Sequence, residues 1–89
     1  MNKETVDAIR GEQDYQQRRW AGHKHTVGEW LLVVEKCLND AKRQWAVGHE
    51  KETLDELRQV AASAASAMDE NGAVERTHFA IGCCPGGHC

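Results

Sequence analysis

The sequence predicts an all-α fold, made of an antiparallel helical hairpin, a weaker N-terminal helix and an irregular C-terminal tail. Apolar residues recur at alternating spacings of three and four over two long segments, which is the periodicity of a packed helix. Capping residues and glycines bound these segments. After Gly72 no periodicity is left, and three of the four cysteines fall in the last seven residues. These observations predict a helical domain over residues 1–72 and an extended tail over residues 73–89.

The N-terminal helix is predicted over about residues 5–19. Its apolar positions are few, with Val6, Ile9 and Trp20 as anchors. Gly11 lies inside it and costs about 1 kcal/mol of helix stability relative to alanine. This helix is therefore the weakest of the three in pattern.

The clearest helix is predicted over residues 27–46. Thr26 and Glu29 form a capping box, in which each side chain satisfies a free backbone amide of the first turn. Gly48 ends the helix. Trp30 is expected to pack in the core beside the apolar seam. That seam consists of Val27, Leu31, Val34, Leu38, Ala41 and Trp45.

The third helix is predicted over residues 50–70 and ends at Asn71-Gly72, because both residues tolerate the left-handed conformation of a helix C-cap. Residues 60–67 are almost entirely small, so another helix is expected to approach this segment closely. Its apolar seam consists of Leu54, Leu57, Ala61, Ala64 and Met68.

The chain has 89 residues, and a domain of this size buries only about 60–65% of its unfolded surface. Such small cores are commonly stabilised by metals, disulfides or a partner chain. We therefore expect a homodimer in which the two helical hairpins form a four-helix bundle.

Composition and charge limit the kinds of partner that this protein is expected to bind. The formal net charge is −3, and the few basic residues do not form the dense positive face that nucleic acid requires. No apolar run approaches the roughly 20 residues that cross a bilayer, and residues 1–10 do not resemble a signal peptide. We expect a cytoplasmic protein with reduced thiols, whose cysteines point to metal or redox chemistry.

Four positions on the two long helices form a candidate metal site. Cys37 and Asp40 are one turn apart on the first, and Glu56 and Gln59 are one turn apart on the second, so each pair points in one direction. Mg²⁺ prefers several carboxylate oxygens, and only two of the four residues are acids. Glu52-x-x-Asp55 lies close enough to compensate. Alternatively, these acids belong to a solvated helix face.

A further pattern covers roughly residues 12–76 and lies in scattered apolar and aromatic positions. The residues that carry it are Asp14-Tyr15-Gln16, Arg19-Trp20, 25–31 (His-Thr-Val-Gly-Glu-Trp-Leu), Asp40-Ala41, Trp45, 54–62 (Leu-Asp-Glu-Leu-Arg-Gln-Val-Ala-Ala) and 68–72 (Met-Asp-Glu-Asn-Gly). In these residues the sequence resembles small phage and prophage proteins related to the MazG-like all-α nucleotide pyrophosphohydrolases.

The resemblance implies hydrolysis of nucleoside triphosphates to a monophosphate and pyrophosphate, with Mg²⁺ held by E-x-x-E on one helix and E-x-x-D on the next. By position these motifs fall on Cys37/Asp40 and Glu56/Gln59. Asp40 and Glu56 would then hold Mg²⁺ as the catalytic residues, assisted by Glu52 or Asp55, while a bound water attacks the α-phosphate. Losing two of four carboxylates predicts weak or lost activity, because the ions neutralise the developing phosphate charge.

A bound nucleotide would find its nearest cations at Arg19, His23 and Lys24, which are expected to contact its phosphates. Trp20 is the candidate for stacking on the base, because it ends a helix, whereas Trp30 and Trp45 are expected to pack in the core.

The tail supplies a second candidate site, for a thiophilic metal such as Zn²⁺. Its potential ligands are Cys83, Cys84, His88 and Cys89, although their spacing differs from that of structural zinc sites. A disordered tail and an appended reactive segment are the alternatives.

Two non-enzymatic functions therefore stand beside nucleotide binding. The first is a protein-interaction module, such as a phage product acting on a host factor in the host cytoplasm. The second is a metal- or thiol-binding protein that acts through the tail.

Overall fold

The computed structural model describes residues 1–20 and 22–76, which form three helices and no strand. Helix α1 spans Lys3–Trp20, α2 spans Val27–Ala46 and α3 spans Glu50–Asn71. The predicted all-α class and the three helices are confirmed, with α1 beginning two residues earlier than predicted. Residues 73–76 have no regular secondary structure. None of the three helices is both long and apolar enough to span a membrane.

Local sequence explains where α2 and α3 begin and end. The predicted capping box is present: Thr26 Oγ1 accepts a hydrogen bond from the Glu29 amide at 3.2 Å, and Glu29 Oε1 accepts one from the Thr26 amide at 2.8 Å. Gly48 (φ 81°) and Gly72 (φ 116°) follow α2 and α3 in left-handed conformations that disfavour side chains. Both glycines were predicted as helix ends.

Helix α3 lies in the middle of the fold and packs against both α1 and α2. Its small residues make this possible, because Ala62 and Ser63 are fully buried and Ser66 nearly so. The predicted close helix contact over residues 60–67 is confirmed. Helix α1 is joined to this surface by amide side chains: Gln13 donates to Ser66 at 3.2 Å, and Gln16 donates to Ser63 at 3.3 Å.

The buried side of α2 differs from the predicted seam. Trp30 is buried as expected, at 2% exposure, together with Cys37 and Ala41. The prediction that Trp45 packs in the core of the chain is wrong, because 65% of it is exposed. Helix α3 covers α2 on the side of Trp30 and Cys37, and most of the seam is left uncovered.

The exposed seam residues of both helices form what we call the apolar face. Val33 and Lys36 face the side of α1. Leu31 lies two positions from Val33, and Leu38 lies two positions from Lys36. Two positions are a rotation of about 200° around the helix, so both leucines point to the side away from α1. On α3, α1 instead contacts Ser63 and Ser66, whose phase is nearly opposite to that of the α3 seam. Both seams therefore point away from α1. The face consists of Leu31, Leu38, Trp45, Leu54, Leu57 and Met68.

Candidate functional site

An open cavity of about 630 Å³ lies where the three helices meet, and its size suits a small-molecule ligand. We call it the cationic cavity because three basic side chains and one carboxylate are among its described lining residues. Helix α1 contributes aromatic and basic side chains, and α2 and α3 contribute the thiol and the amide of the predicted metal motif. The lining of this cavity includes Glu12, Tyr15, Gln16, Arg19, Trp20, Lys36, Cys37, Arg58 and Gln59.

The three cations of this cavity differ in their partners. Arg58 is held by Glu12 at 3.0 Å and by Asp55 at 2.7 Å. Lys36 pairs with Asp40 at 3.1 Å. Arg19 donates to the Tyr15 hydroxyl at 3.3 Å and forms no ion pair with any described residue. Its charge is therefore available to an anionic ligand.

A second cavity of about 620 Å³ lies on the other side of Trp20 and Gln16, which line both spaces. We call it the His-loop cavity, because Gly22, His23 and Lys24 line it together with Trp30 and Glu70. Its described charged residues balance, since two acids (Asp14, Glu70) face two bases (Arg18, Lys24).

The predicted nucleotide-binding residues are therefore divided between the two cavities. Arg19 and Trp20 line the cationic cavity together, whereas Lys24 and His23 line the His-loop cavity with Trp20. Arg19 and Lys24 thus do not share one cavity. Their roles in binding stay predictions.

An aromatic cluster fixes the position of Trp20 at the end of α1. The ring centroids of Trp20 and Trp30 are 5.7 Å apart, and the His25 ring packs edge-on against both, at 5.3 and 4.8 Å. Glu70 closes the cluster, because its Oε1 accepts from the His25 backbone amide at 2.9 Å and from Trp30 Nε1 at 3.0 Å. The loop before α2 is thereby joined to the end of α3.

Glu70 makes the stability of this cluster dependent on pH. The hydrogen bond from the His25 amide, with that from Trp30, lowers the pKa of Glu70 below its ordinary value. A depressed folded-state pKa stabilises the fold above the unfolded-state pKa of about 4.3, and the stabilisation is lost as pH falls through the folded value.

We expect Glu70→Gln to be less stable than the wild type at pH 7, by less than about 1 kcal/mol because the carboxylate is exposed. The difference should vanish as the pH falls through the lowered pKa of Glu70. Urea unfolding of both proteins between pH 3 and 7 measures it, and a difference that stays constant with pH would contradict this role of the charge.

Helices α2 and α3 bring acids of the predicted metal site near one another. Arg43 donates to one carboxylate oxygen of Asp40, and Lys36 donates to the other. Both hydrogen bonds lower the pKa of Asp40. Partial burial, with the nearby charges of Asp40 and Asp55, raises the pKa of Glu56. Burial also raises the pKa of the Cys37 thiol, followed by the charge of Glu56.

This donor set is a poor match for Mg²⁺. Asp40 already pairs with two cations, and a thiol whose pKa is raised by burial is a poor ligand for a hard ion. No catalytic step through a metal therefore follows from these residues.

The remaining candidate ligands are dispersed. Asp55 pairs with Arg58 and accepts from Gln59 at 3.4 Å, and Glu52 is exposed on the first turn of α3. Within residues 1–20 and 22–76, no three His, Cys, Asp or Glu side chains are grouped so that they could hold a metal ion. Cys83, Cys84, His88 and Cys89 lie outside the described residues, so the thiophilic site stays a prediction, as does Mg²⁺ binding.

Five residues that line the cationic cavity were not singled out from the sequence as site residues: Gln16, Glu12, Tyr15, Lys36 and Arg58. One pattern would have found the first. Gln13-x-x-Gln16 and Ser63-x-x-Ser66 are polar pairs with helical spacing on two helices, which indicates matched hydrogen bonding between them. Nothing comparable marks Lys36 and Arg58, because each is one of many charged helix residues.

Comparison with known proteins adds no relative to this description. No protein-family model, curated protein or solved structure matches the chain.

Proposed function

We propose that this protein binds a nucleotide in the cationic cavity, holding its phosphates directly on basic side chains, with weak or lost hydrolysis. The observation that carries the proposal is Arg19, a guanidinium on the cavity lining that forms no ion pair with any described residue. Lys36 and Arg58 line the same cavity, where Lys36 already pairs with Asp40 and Arg58 with Glu12 and Asp55. Guanidinium groups bind phosphate through paired hydrogen bonds, and an unpaired one such as Arg19 does so without first breaking an ion pair.

The degenerate motif supports this mode of binding. Cys37 and Gln59 stand where the resemblance expects carboxylates, and both line the cavity. Two carboxylates there would repel phosphate unless metal ions lay between them. A neutral thiol and an amide remove that repulsion, so a polyphosphate can approach Arg58 and Lys36 without a divalent ion.

Aromatic side chains complete the site. Tyr15 and Trp20 line the same cavity as Arg19, and aromatic rings stack on bases with little dependence on their identity. The cluster with His25 and Trp30 holds Trp20 in place. This pre-organisation reduces the entropy lost when a base stacks there.

Titration calorimetry with ATP, GTP, CTP and UTP in buffer containing EDTA tests the proposal. We expect at least one nucleotide to bind, and Arg19→Ala to weaken that binding about tenfold, since a hydrogen bond to a charged group contributes about 1.5–3 kcal/mol. Arg10→Ala is the matched control, because Arg10 is an exposed arginine of α1 that lines neither cavity.

Two results would reject metal-independent nucleotide binding. One is the absence of any heat or thermal shift with all four nucleotides at millimolar concentration. The other is equal weakening by Arg19→Ala and Arg10→Ala. Rapid release of pyrophosphate with Mg²⁺ that is abolished by Asp40→Asn would instead show that the protein is an active pyrophosphohydrolase.

We further infer that two chains associate through the apolar face. Six large apolar side chains are exposed there, and they belong to the seams of α2 and α3, whose three-and-four spacing is that of an interhelical contact. Association would bury them and form the predicted four-helix bundle. The cationic cavity is bordered by α1 on the opposite side of the hairpin, so the same arrangement leaves it open to ligand.

A protein-interaction role is the alternative that the same face favours. A host factor or another protein would then cover it in place of a second copy. A complex that forms at the apolar face and is unaffected by nucleotide would identify that role.

A further inference from the structure

The buried amide of Gln16 is only half satisfied. Gln16 is 6% exposed, and its Nε2 donates to Ser63 Oγ at 3.3 Å. Its Oε1 is buried and accepts no hydrogen bond within the described part of the chain. An unpaired buried acceptor destabilises a fold, so such groups are rare unless a ligand or water completes them.

Gln16 repeats a contact that Gln13 makes one turn earlier. Gln13 Nε2 donates to Ser66 at 3.2 Å and to Asp69 at 3.1 Å, and Gln13 is less buried than Gln16. Gln16 alone borders open space, because it lines the cationic cavity and the His-loop cavity. The side chain that carries the unpaired oxygen therefore forms part of the wall that a ligand in either cavity would contact.

The neighbours of Gln16 on α1 supply the other parts of a nucleotide site. Arg19 and Trp20 follow at positions i+3 and i+4, so all three side chains lie on one face of the helix, and all three line the cationic cavity. A base that packs against Trp20 while its phosphates reach Arg19 has its edge close to Gln16.

We propose that Gln16 Oε1 reads the base of the bound nucleotide by accepting a hydrogen bond from an exocyclic amino group. This inference rests on the proposed nucleotide binding and names its ligand class, nucleotides of amino-bearing bases. A carbonyl at the same position of the base would oppose two acceptors and leave both without a partner. Discrimination of this kind comes from the unpaired group that the wrong ligand leaves behind.

The test compares pairs of ligands of which one carries this amino group and the other lacks it, by calorimetry with EDTA present. Purine riboside triphosphate lacks the 6-amino group of ATP, and UTP carries a carbonyl where CTP carries an amino group. We expect the amino member of at least one pair to bind about tenfold more tightly, as one hydrogen bond in a closed site allows. Equal affinities within both pairs would overturn the inference.

Gln16→Met should abolish that preference, because it keeps the length of the side chain and removes the acceptor. Gln17→Met is the control: Gln17 lines only the His-loop cavity, and its loss should leave the preference unchanged. Equal effects of the two variants would overturn the assignment to Gln16. The comparison of ligands on the wild-type protein tests the preference for an amino-bearing base even if Gln16→Met fails to fold.

Inorganic triphosphate separates this inference from the proposed function. It has no base, so we expect it to bind the wild type and Gln16→Met equally. Binding of triphosphate with no base preference would reject base reading by Gln16 and leave phosphate binding standing. No binding of triphosphate or of any nucleotide would reject both.

Discussion

Trp30→Ala is expected to lower the free energy of unfolding by about 3–5 kcal/mol, the range for removal of a buried tryptophan. Trp30 is 2% exposed, contacts the Trp20 and His25 rings, and donates to Glu70 at 3.0 Å. Small domains have total stabilities of about 5–15 kcal/mol, and a chain of 89 residues belongs at the lower end. A large fraction of the variant should therefore be unfolded at 37 °C.

Urea unfolding followed by circular dichroism measures this effect. Leu32→Ala is the control: Leu32 lies on the same helix but is 66% exposed, so its loss should change the stability by no more than about 0.5 kcal/mol. Trp30→Phe keeps one aromatic ring but removes part of the buried indole and the bond to Glu70, and should fall between the two. Similar stabilities for Trp30→Ala and Leu32→Ala would show that Trp30 is not the centre of the core.

The parts of the fold that were predicted correctly depend on short stretches of sequence. The capping box at Thr26 and Glu29 satisfies backbone groups within one turn, and Gly48 and Gly72 allow left-handed conformations at single positions. Neither requires knowledge of the tertiary structure. The class of the fold follows equally well, because apolar spacing of three and four has no other common explanation.

The packing was predicted less well, because periodicity reports which residues share a face and not what covers that face. Leu38 and Trp45 continue a regular seam, yet α3 packs beside that seam, against Trp30 and Cys37. The surface that receives α1 is made of serines and alanines. Apolar patterns do not reveal such a surface, since its polar side chains are satisfied by glutamines from another helix.

The candidate site was only partly predictable for the same reason. Arg19 and Trp20 stand out in the sequence as a cation and an aromatic residue at a helix end. Gln16 matters through an unpaired atom, and that property exists only once Ser63 has been placed beside it. Lys36 and Arg58 acquire a role only because their helices converge on one cavity.

The largest effect on assembly is expected from Leu38→Glu combined with Leu57→Glu. Both residues lie on the apolar face, one on each helix, and both are exposed in the single chain. In a dimer these positions would be buried, and a buried unpaired carboxylate carries a desolvation penalty of several kcal/mol. The double variant should therefore be monomeric at tens of micromolar, where we expect the wild type to be a dimer, with little loss of helical content in each chain.

Sedimentation equilibrium over a range of concentrations measures this change. Leu32→Glu is the matched control, because Leu32 is equally exposed but lies outside the apolar face, so this variant should remain dimeric. A wild-type protein that is monomeric at tens of micromolar, with a melting temperature that does not change on dilution, would exclude the homodimer. The exposed leucines and Trp45 would then be available to a different protein. The proposed nucleotide binding does not depend on this outcome, because the cationic cavity lies on the opposite side of the hairpin.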